Sequence, residues 1–383
     1  MALVLVILCA CGGSDAPPPD LVLIVLDTAR VDRTSVYGGS EPTTPYLEEF
    51  ARQGTRFDRA YSTSCWTLPA HASMFTGQLP DVHGADQLRE RVDDGLPLLA
   101  QHLAEAGYQT AGFTRNPWIS TRSGLARGFE HFAEAWPGGP LDGAFGDANP
   151  AEQSLRRWLV HERDRDRPAF VFVNLIRPHM PYYPRWEDAR PFFADRETWQ
   201  AALERYSSGG PRALFERHYA GLEPLGAAEW QRVGALYDGE LRQVDTLVRR
   251  MLADLERNAA GREQLVLIVS DHGENLGDHG HSSHMFDLGE PLTRVLLLAR
   301  GPGFVAGAVD DRLAQLTDVY PTLLAAAGVE VSPGPGQDLR DDPDPDRLLL
   351  ARVAFPRRWL ANFTPGIVES GVLAAHERAL WAA

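Results

Sequence analysis

The chain has 383 residues, 44% hydrophobic and 23% charged, which excludes wholesale disorder and collagen-like structure and allows one large α/β domain or two of average size. Its 37 basic residues against 52 acidic ones give a net charge of −15, so no nucleic acid is expected as a partner. The basic residues are all arginine, which removes lysine from any catalytic scheme.

In chain order, residues 1–11 read MALVLVILCAC. That run is apolar but far shorter than the roughly 20 residues that span a bilayer. It resembles the end of a secretory signal peptide, and Leu8 to Cys11 resembles a bacterial lipobox, whose last cysteine is acylated. No positive n-region precedes it, which reads as a start placed too far downstream. Residues 12–20 read as a flexible linker. The expectation is an exported protein, periplasmic or on the outer surface, attached to a membrane through lipidated Cys11. Three cysteines (Cys9, Cys11 and Cys65) are too few for a disulfide framework.

Residues 21–27, LVLIVLD, form a continuous apolar run ending in a carboxylate, as suits a strand covered on both faces. Residues 43–53 predict a helix with a Thr cap and Pro entry, and residues 96–106 a second, stopped by Gly107. Residues 109–113 and 169–175 read as strands, and 227–257 as a long helix. Residues 265–269 and 295–298 read as further strands, and 316–327 as a helix stopped by Gly328. The stretch 186–223 lacks a clean period and reads as an insertion over the sheet edge. Residues 331–383 read as a C-terminal extension, ending without a stop or cap signal as an incomplete C-terminus would. Strands alternating with helices predict a doubly wound, mostly parallel α/β sheet with helices on both faces.

Ligands of such sheets bind beyond the carboxyl ends of the strands. Asp27, His179 and Asp271 all fall just past the end of a predicted strand, so three polar candidates converge on one edge. Asp271 and His272 offer two metal ligands on one turn, and Asp27 can supply a third. Oxygen and imidazole donors suit Ca²⁺, Mn²⁺, Mg²⁺ or Zn²⁺. His83, His279 and His281 read as turn or rim residues, and 237–245 as fold support.

Residues 64–77, SCWTLPAHASMFTG, resemble the nucleophile segment of the sulfatase family in the alkaline phosphatase superfamily. Four more segments match that family in order: LIVLDTARVDRTSVYGG, IRPHMPYYP, SDHGENLGDHGHSSH with RVLLLARGPG, and LTDVYPTLLAAAGV. The resemblance implies a sulfatase-like catalytic domain over about residues 21–330. It implies one divalent metal ion, held by Asp27, Thr67, Asp271 and His272. Anchored on Pro69 and Thr76-Gly77, the segment puts Thr67 at the nucleophile position.

The departures from the family pattern are specific. Formylglycine-activated members carry Cys or Ser two residues before the proline, where this chain has Thr67; Cys65 is off register. His71 replaces an arginine, Thr28 a second aspartate, and His284 a lysine, while the central lysine falls at Arg115 or Asn116. The implied roles are catalysis by Thr67, His179 and His284, and substrate binding by His71, Arg115 and Asn116. The expected substrate is a small-molecule, glycan or lipid ester of sulfate or phosphate, cleaved through a covalent threonine intermediate. A threonine lacks the hemiacetal exit that formylglycine gives a sulfo-intermediate, which favours phosphoryl esters. The alternatives are a phospho-headgroup transferase of the same superfamily and an inactive sulfatase-like binding protein.

Overall fold

Eight strands form one sheet in a computed structural model. The structure describes residues 17–353, apart from 87–88, 136–148, 208–213, 215–216, 219–222, 285–286 and 331–333. Cys9, Cys11 and most of the 331–383 extension therefore lie outside the described residues.

At the centre is β1, Asp20–Leu26, in which every residue is buried. It pairs in parallel with β5, Ala169–Leu175, on one side and with β6, Gln264–Ser270, on the other. Beyond β5 lie β3, Gln109–Thr114, and β4, His131–Glu134, also parallel. Beyond β6 lies β9, Leu297–Arg300, antiparallel to both neighbours. The sheet ends with β2, Thr55–Tyr61, and β10, Ala308–Gln315, a parallel pair. A separate ribbon of β7, Asn275–Leu276, and β8, Ser282–Ser283, stands in the loop after β6.

The continuous apolar runs reflect burial on both faces. Val22, Ile24 and Leu26 enter one core, with α1 (Pro45–Arg52), α4 (Pro150–His161), α5 (Arg196–Tyr206) and α6 (Ala227–Asn258). Leu21, Leu23 and Val25 enter the other, with α2 (Thr67–Thr76), α3 (Leu99–Glu105) and α7 (Val319–Ala326). Each such Val, Leu or Ile contributes about 1.5–3 kcal/mol by leaving water. The predicted doubly wound, mostly parallel sheet is the fold observed.

Three expectations need correction. The hydroxyl of Thr44, which precedes α1, does not cap that helix, because it accepts the Val36 amide instead. The capping role passes to Asp245 of α6, whose carboxylate oxygens accept the amides of Tyr46 and Leu47, each at 2.9 Å. The strand expected at 295–298 lies at Leu297–Arg300, with Val295 donating its amide to Ala60 before it. The helix expected at 96–106 starts at Leu99, because Leu96 closes a turn onto Asp93 and Leu98 is extended (φ −104°, ψ 155°).

Among the described residues no helix is long and apolar enough to cross a membrane.

Candidate active site

Four neighbouring strands deliver the site. Asp27 follows β1, Asp271 and His272 follow β6, His179 lies beyond β5 and Asn116 beyond β3. Thr67 opens α2 from the loop after β2, so its hydroxyl sits at the helix N-terminus. Thr67, Asn116, His284, Asp27, Asp271 and His272 are all buried, and His179 is partly exposed. The site is therefore open to solvent on the His179 side.

Hydrogen bonds fix the donors. Asn116 Nδ2 donates to Asp27 Oδ2 at 2.6 Å and lies 3.5 Å from Thr67 Oγ1. Asp271 Oδ1 accepts the amides of Thr28 at 3.1 Å and His272 at 2.9 Å. His272 Nδ1 meets the Gly273 carbonyl at 2.9 Å, and a carbonyl only accepts, so that nitrogen carries the proton. The lone pair of Nε2 then faces Thr67 Oγ1 and Asp271 Oδ2, both at 3.4 Å. Gly273 is required next to it, since a Cβ there would lie 1.8 Å from the Pro291 carbonyl oxygen.

Asp27 Oδ1 and Asp271 Oδ2 are buried and have no hydrogen-bond partner. Bare carboxylate oxygens in a dry interior are costly unless a cation meets them. Asp27, Asp271 and His272 offer one ligand atom each within 4.8 Å of one another, so the residues present fit a divalent ion. Burial first, and then the neighbouring Asp271, pushes the Asp27 carboxyl up to about 6. Burial pushes Asp271 up to about 7, against the amides of Thr28 and His272.

These shifts set a pH dependence. At these two carboxyls the metal-free fold holds protons that the unfolded chain has lost, so their contribution to stability falls as pH rises from about 4 to about 7. A cation must displace those protons. Its affinity should fall as pH drops from about 8 to about 5, with protons released on binding. Titration calorimetry in buffers of different ionisation enthalpy checks this; an affinity flat across that range would remove both carboxylates from the ligand set.

The loop between Asp27 and Arg30 is strained. Thr28, where the family pattern has a second aspartate, adopts a φ of 58°, rare for a β-branched residue. Tyr237 of α6 clamps it: its hydroxyl donates to the Thr28 carbonyl at 2.7 Å and accepts the Arg30 amide at 2.8 Å. Tyr237→Phe leaves both buried groups unpaired, at about 1–3 kcal/mol each. The expected result is a stability loss of about 2 kcal/mol or more and about 10-fold weaker cation binding, read by denaturant titration and metal competition.

The remaining predicted residues are placed as follows. His284 lies tilted against His272, with ring centroids 4.6 Å apart, and edge-on to His179 at 5.0 Å. Burial, then His272, lowers His284 to about 4. His179 is raised: burial opposes its charge, but the carboxylates of Glu274 and Asp27 outweigh it. His71 lies under the site, fully buried, its Nδ1 donating to the Thr67 carbonyl at 2.9 Å, and burial lowers it to about 3. Arg115 makes no hydrogen bond to this group among the described residues; it is half-buried, near the like charge of Arg177. Cys65 is buried, and burial pushes its thiol up to about 12.

Sequence reasoning passed over Glu274. It is fully buried and accepts from Tyr182 OH at 2.6 Å and the Met180 amide at 3.2 Å. Its other oxygen lies 3.1 Å from His284 Nδ1. The available signal was its place in Ser270-Asp271-His272-Gly273-Glu274, three residues after a predicted ligand.

A family model described as Sulfatase matches residues 19–329. An arylsulfatase of Clostridium perfringens is 26% identical over 380 residues, covering 82% of this chain and 76% of its own length. The multifunctional alkaline phosphatase superfamily protein PehA of Trinickia caryophylli is 25% identical over 390 residues, covering 81% and 74%. A phosphonate monoester hydrolase of Agrobacterium radiobacter shares the fold with a TM-score of 0.65 and 21% identity, over 84% of this chain and 76% of that one.

Proposed function

The chain belongs to the sulfatase family, and from that membership we propose that it hydrolyses sulfate or phosphate esters with Thr67 as nucleophile. The observation that carries the nucleophile is the surroundings of Thr67 Oγ1, 3.4 Å from His272 Nε2 and 3.5 Å from Asn116 Nδ2. Asp27, Thr67, Asp271 and His272 would hold the divalent ion, which supplies charge to the Thr67 oxygen and the ester and so lowers the hydroxyl pKa.

The chain's own groups do the rest. Asn116 ties Thr67 to Asp27 and so fixes the direction of attack. The α2 N-terminus directs backbone amides towards an anion placed at Thr67. Thr67 Oγ gives up its hydroxyl proton and bonds to phosphorus or sulfur as the ester P–O or S–O bond breaks, and the leaving alkoxide takes up a proton in exchange. Water then cleaves the phospho- or sulfo-threonine. His179, on the partly exposed side, and the buried His284 beside it would stabilise the charge of the non-bridging oxygens.

Cys65 is an unsuitable alternative nucleophile, since burial holds it as a neutral thiol. Phosphoryl esters are the preferred class, because a sulfo-threonine lacks the hemiacetal exit. A panel of aryl phosphate, aryl phosphodiester and aryl sulfate, run on metal-analysed protein, tests this. Turnover of phosphoryl esters above the sulfate is expected; activity on the sulfate alone would refute the preference.

Attachment through lipidated Cys11 is part of the same reading, supported by Leu8 to Cys11 and the linker after them. Mature protein should partition with membranes and be released by Cys11→Ser. Soluble wild-type protein that still starts at Met1 would contradict it.

A further inference from the structure

We infer that His179, Glu274 and His284 form a second divalent-cation site beside the one at Asp27, Asp271 and His272. The inference rests on the proposed reading of the Thr67 centre and deepens it. The three residues each offer a ligand atom, all within 4.8 Å of one another. Two imidazoles and one carboxylate make a donor set suited to a first-row transition ion such as Zn²⁺, rather than to Mg²⁺ or Ca²⁺.

The donors are oriented as ligands are. His179 Nδ1 donates to the Met180 carbonyl, which leaves the lone pair on Nε2. Glu274 Oε2 accepts from Tyr182 OH and the Met180 amide, which pins the carboxylate and leaves Oε1 towards His284. Such outer hydrogen bonds to ligating histidines and carboxylates accompany metal sites. His284 Nδ1 and Glu274 Oε1 are 3.1 Å apart. Two ligands of one tetrahedral zinc ion, each about 2.0–2.1 Å from the metal, lie about 3.3 Å apart.

Charge balance is the second, independent argument. Asp27, Asp271 and Glu274 are three carboxylates at 0% exposure, and among the described residues no arginine forms a salt bridge to any of them. One dication leaves the three carboxylates with one negative charge, which only the His179 imidazole is placed to offset, so nothing in the group attracts an anionic ester. A second dication reverses the sign. The chain has no lysine, and none of these carboxylates has an arginine partner among the described residues, so positive charge is missing at this place. A cation on His284 and its two neighbours would supply it.

The test is metal stoichiometry on full-length protein stripped of metal and reloaded with Zn²⁺ alone. Two ions per chain are expected in the wild type, and one in each of His284→Ala, Glu274→Gln and Asp271→Asn. Titration of the stripped wild type with Co²⁺, followed by visible absorption, should show two steps and needs no variant to fold. One ion per chain and a single Co²⁺ step would overturn the second site while leaving the Thr67 centre standing. Two ions retained in His284→Ala and Glu274→Gln would also overturn it. No ion in the wild type would overturn both readings.

Discussion

Asp271→Ala should lose the divalent ion and turnover together, by several orders of magnitude. Asp271 is at 0% exposure, and its Oδ2 is a bare oxygen aimed between His71 Nδ1 at 3.6 Å and His272 Nε2 at 3.4 Å. Removing it leaves a dication with Asp27 as the one carboxylate of the Thr67 centre. The change also strips the acceptor from the Thr28 and His272 amides, at about 1–3 kcal/mol each. Asp271→Asn separates the two effects. Its amide oxygen still accepts both N–H groups, so stability should largely return, while the lost charge keeps the site empty of metal. Elemental analysis and denaturant titration of the pair give the answer. Full metal occupancy in Asp271→Ala would sink the ligand assignment.

Thr67→Ala should cost turnover several orders of magnitude and leave the fold intact. Among the described residues the Thr67 hydroxyl makes only the long contacts to His272 and Asn116, so little folding energy depends on it. Thr67→Ser keeps the hydroxyl at the head of α2 and should retain measurable activity. Cys65→Ala should change turnover little, because Cys65 is a buried neutral thiol. The competing idea is a formylglycine made from Cys65. Intact-mass measurement would reveal the missing thiol, and trapping would isolate phosphate or sulfate on Thr67. A Cys65 aldehyde together with an active Thr67→Ala variant would overturn the nucleophile and the preference for phosphoryl esters.

Much of the frame was legible in the sequence because its signals are local. The runs at 21–27, 169–175 and 265–269 are apolar at every position, which only strands buried on both faces require. Asp27, Asp271 and His272 were visible as polar residues closing such runs. Of the three sheet strands that escaped, β2, β4 and β10, two did so for the opposite reason. In β2, TRFDRAY, and β10, AVDDRLAQ, charges interrupt the pattern. The structure pairs them off as Arg56 with Asp58 and Arg312 with Asp310, while Phe57, Ala60 and Ala314 are buried. An internal ion pair hides a strand from any reading based on hydrophobic alternation.

The sequence by itself determined the parallel sheet, the acidic and imidazole residues at the strand ends, and the register that puts Thr67, not Cys65, two residues before Pro69. Each follows from neighbours a few positions apart. Only the tertiary structure decided what meets across the chain. The order β6-β1-β5-β3 brings Asp271, Asp27, His179 and Asn116 to one edge. Tyr237 reaches back to hold Thr28, and Asp245 caps a helix near the other end of the chain. The sheet order also brings Glu274 against His179 and His284, a grouping that motif spacing did not foretell. Such contacts depend on strand order and loop path, which hydrophobic period and motif spacing do not encode.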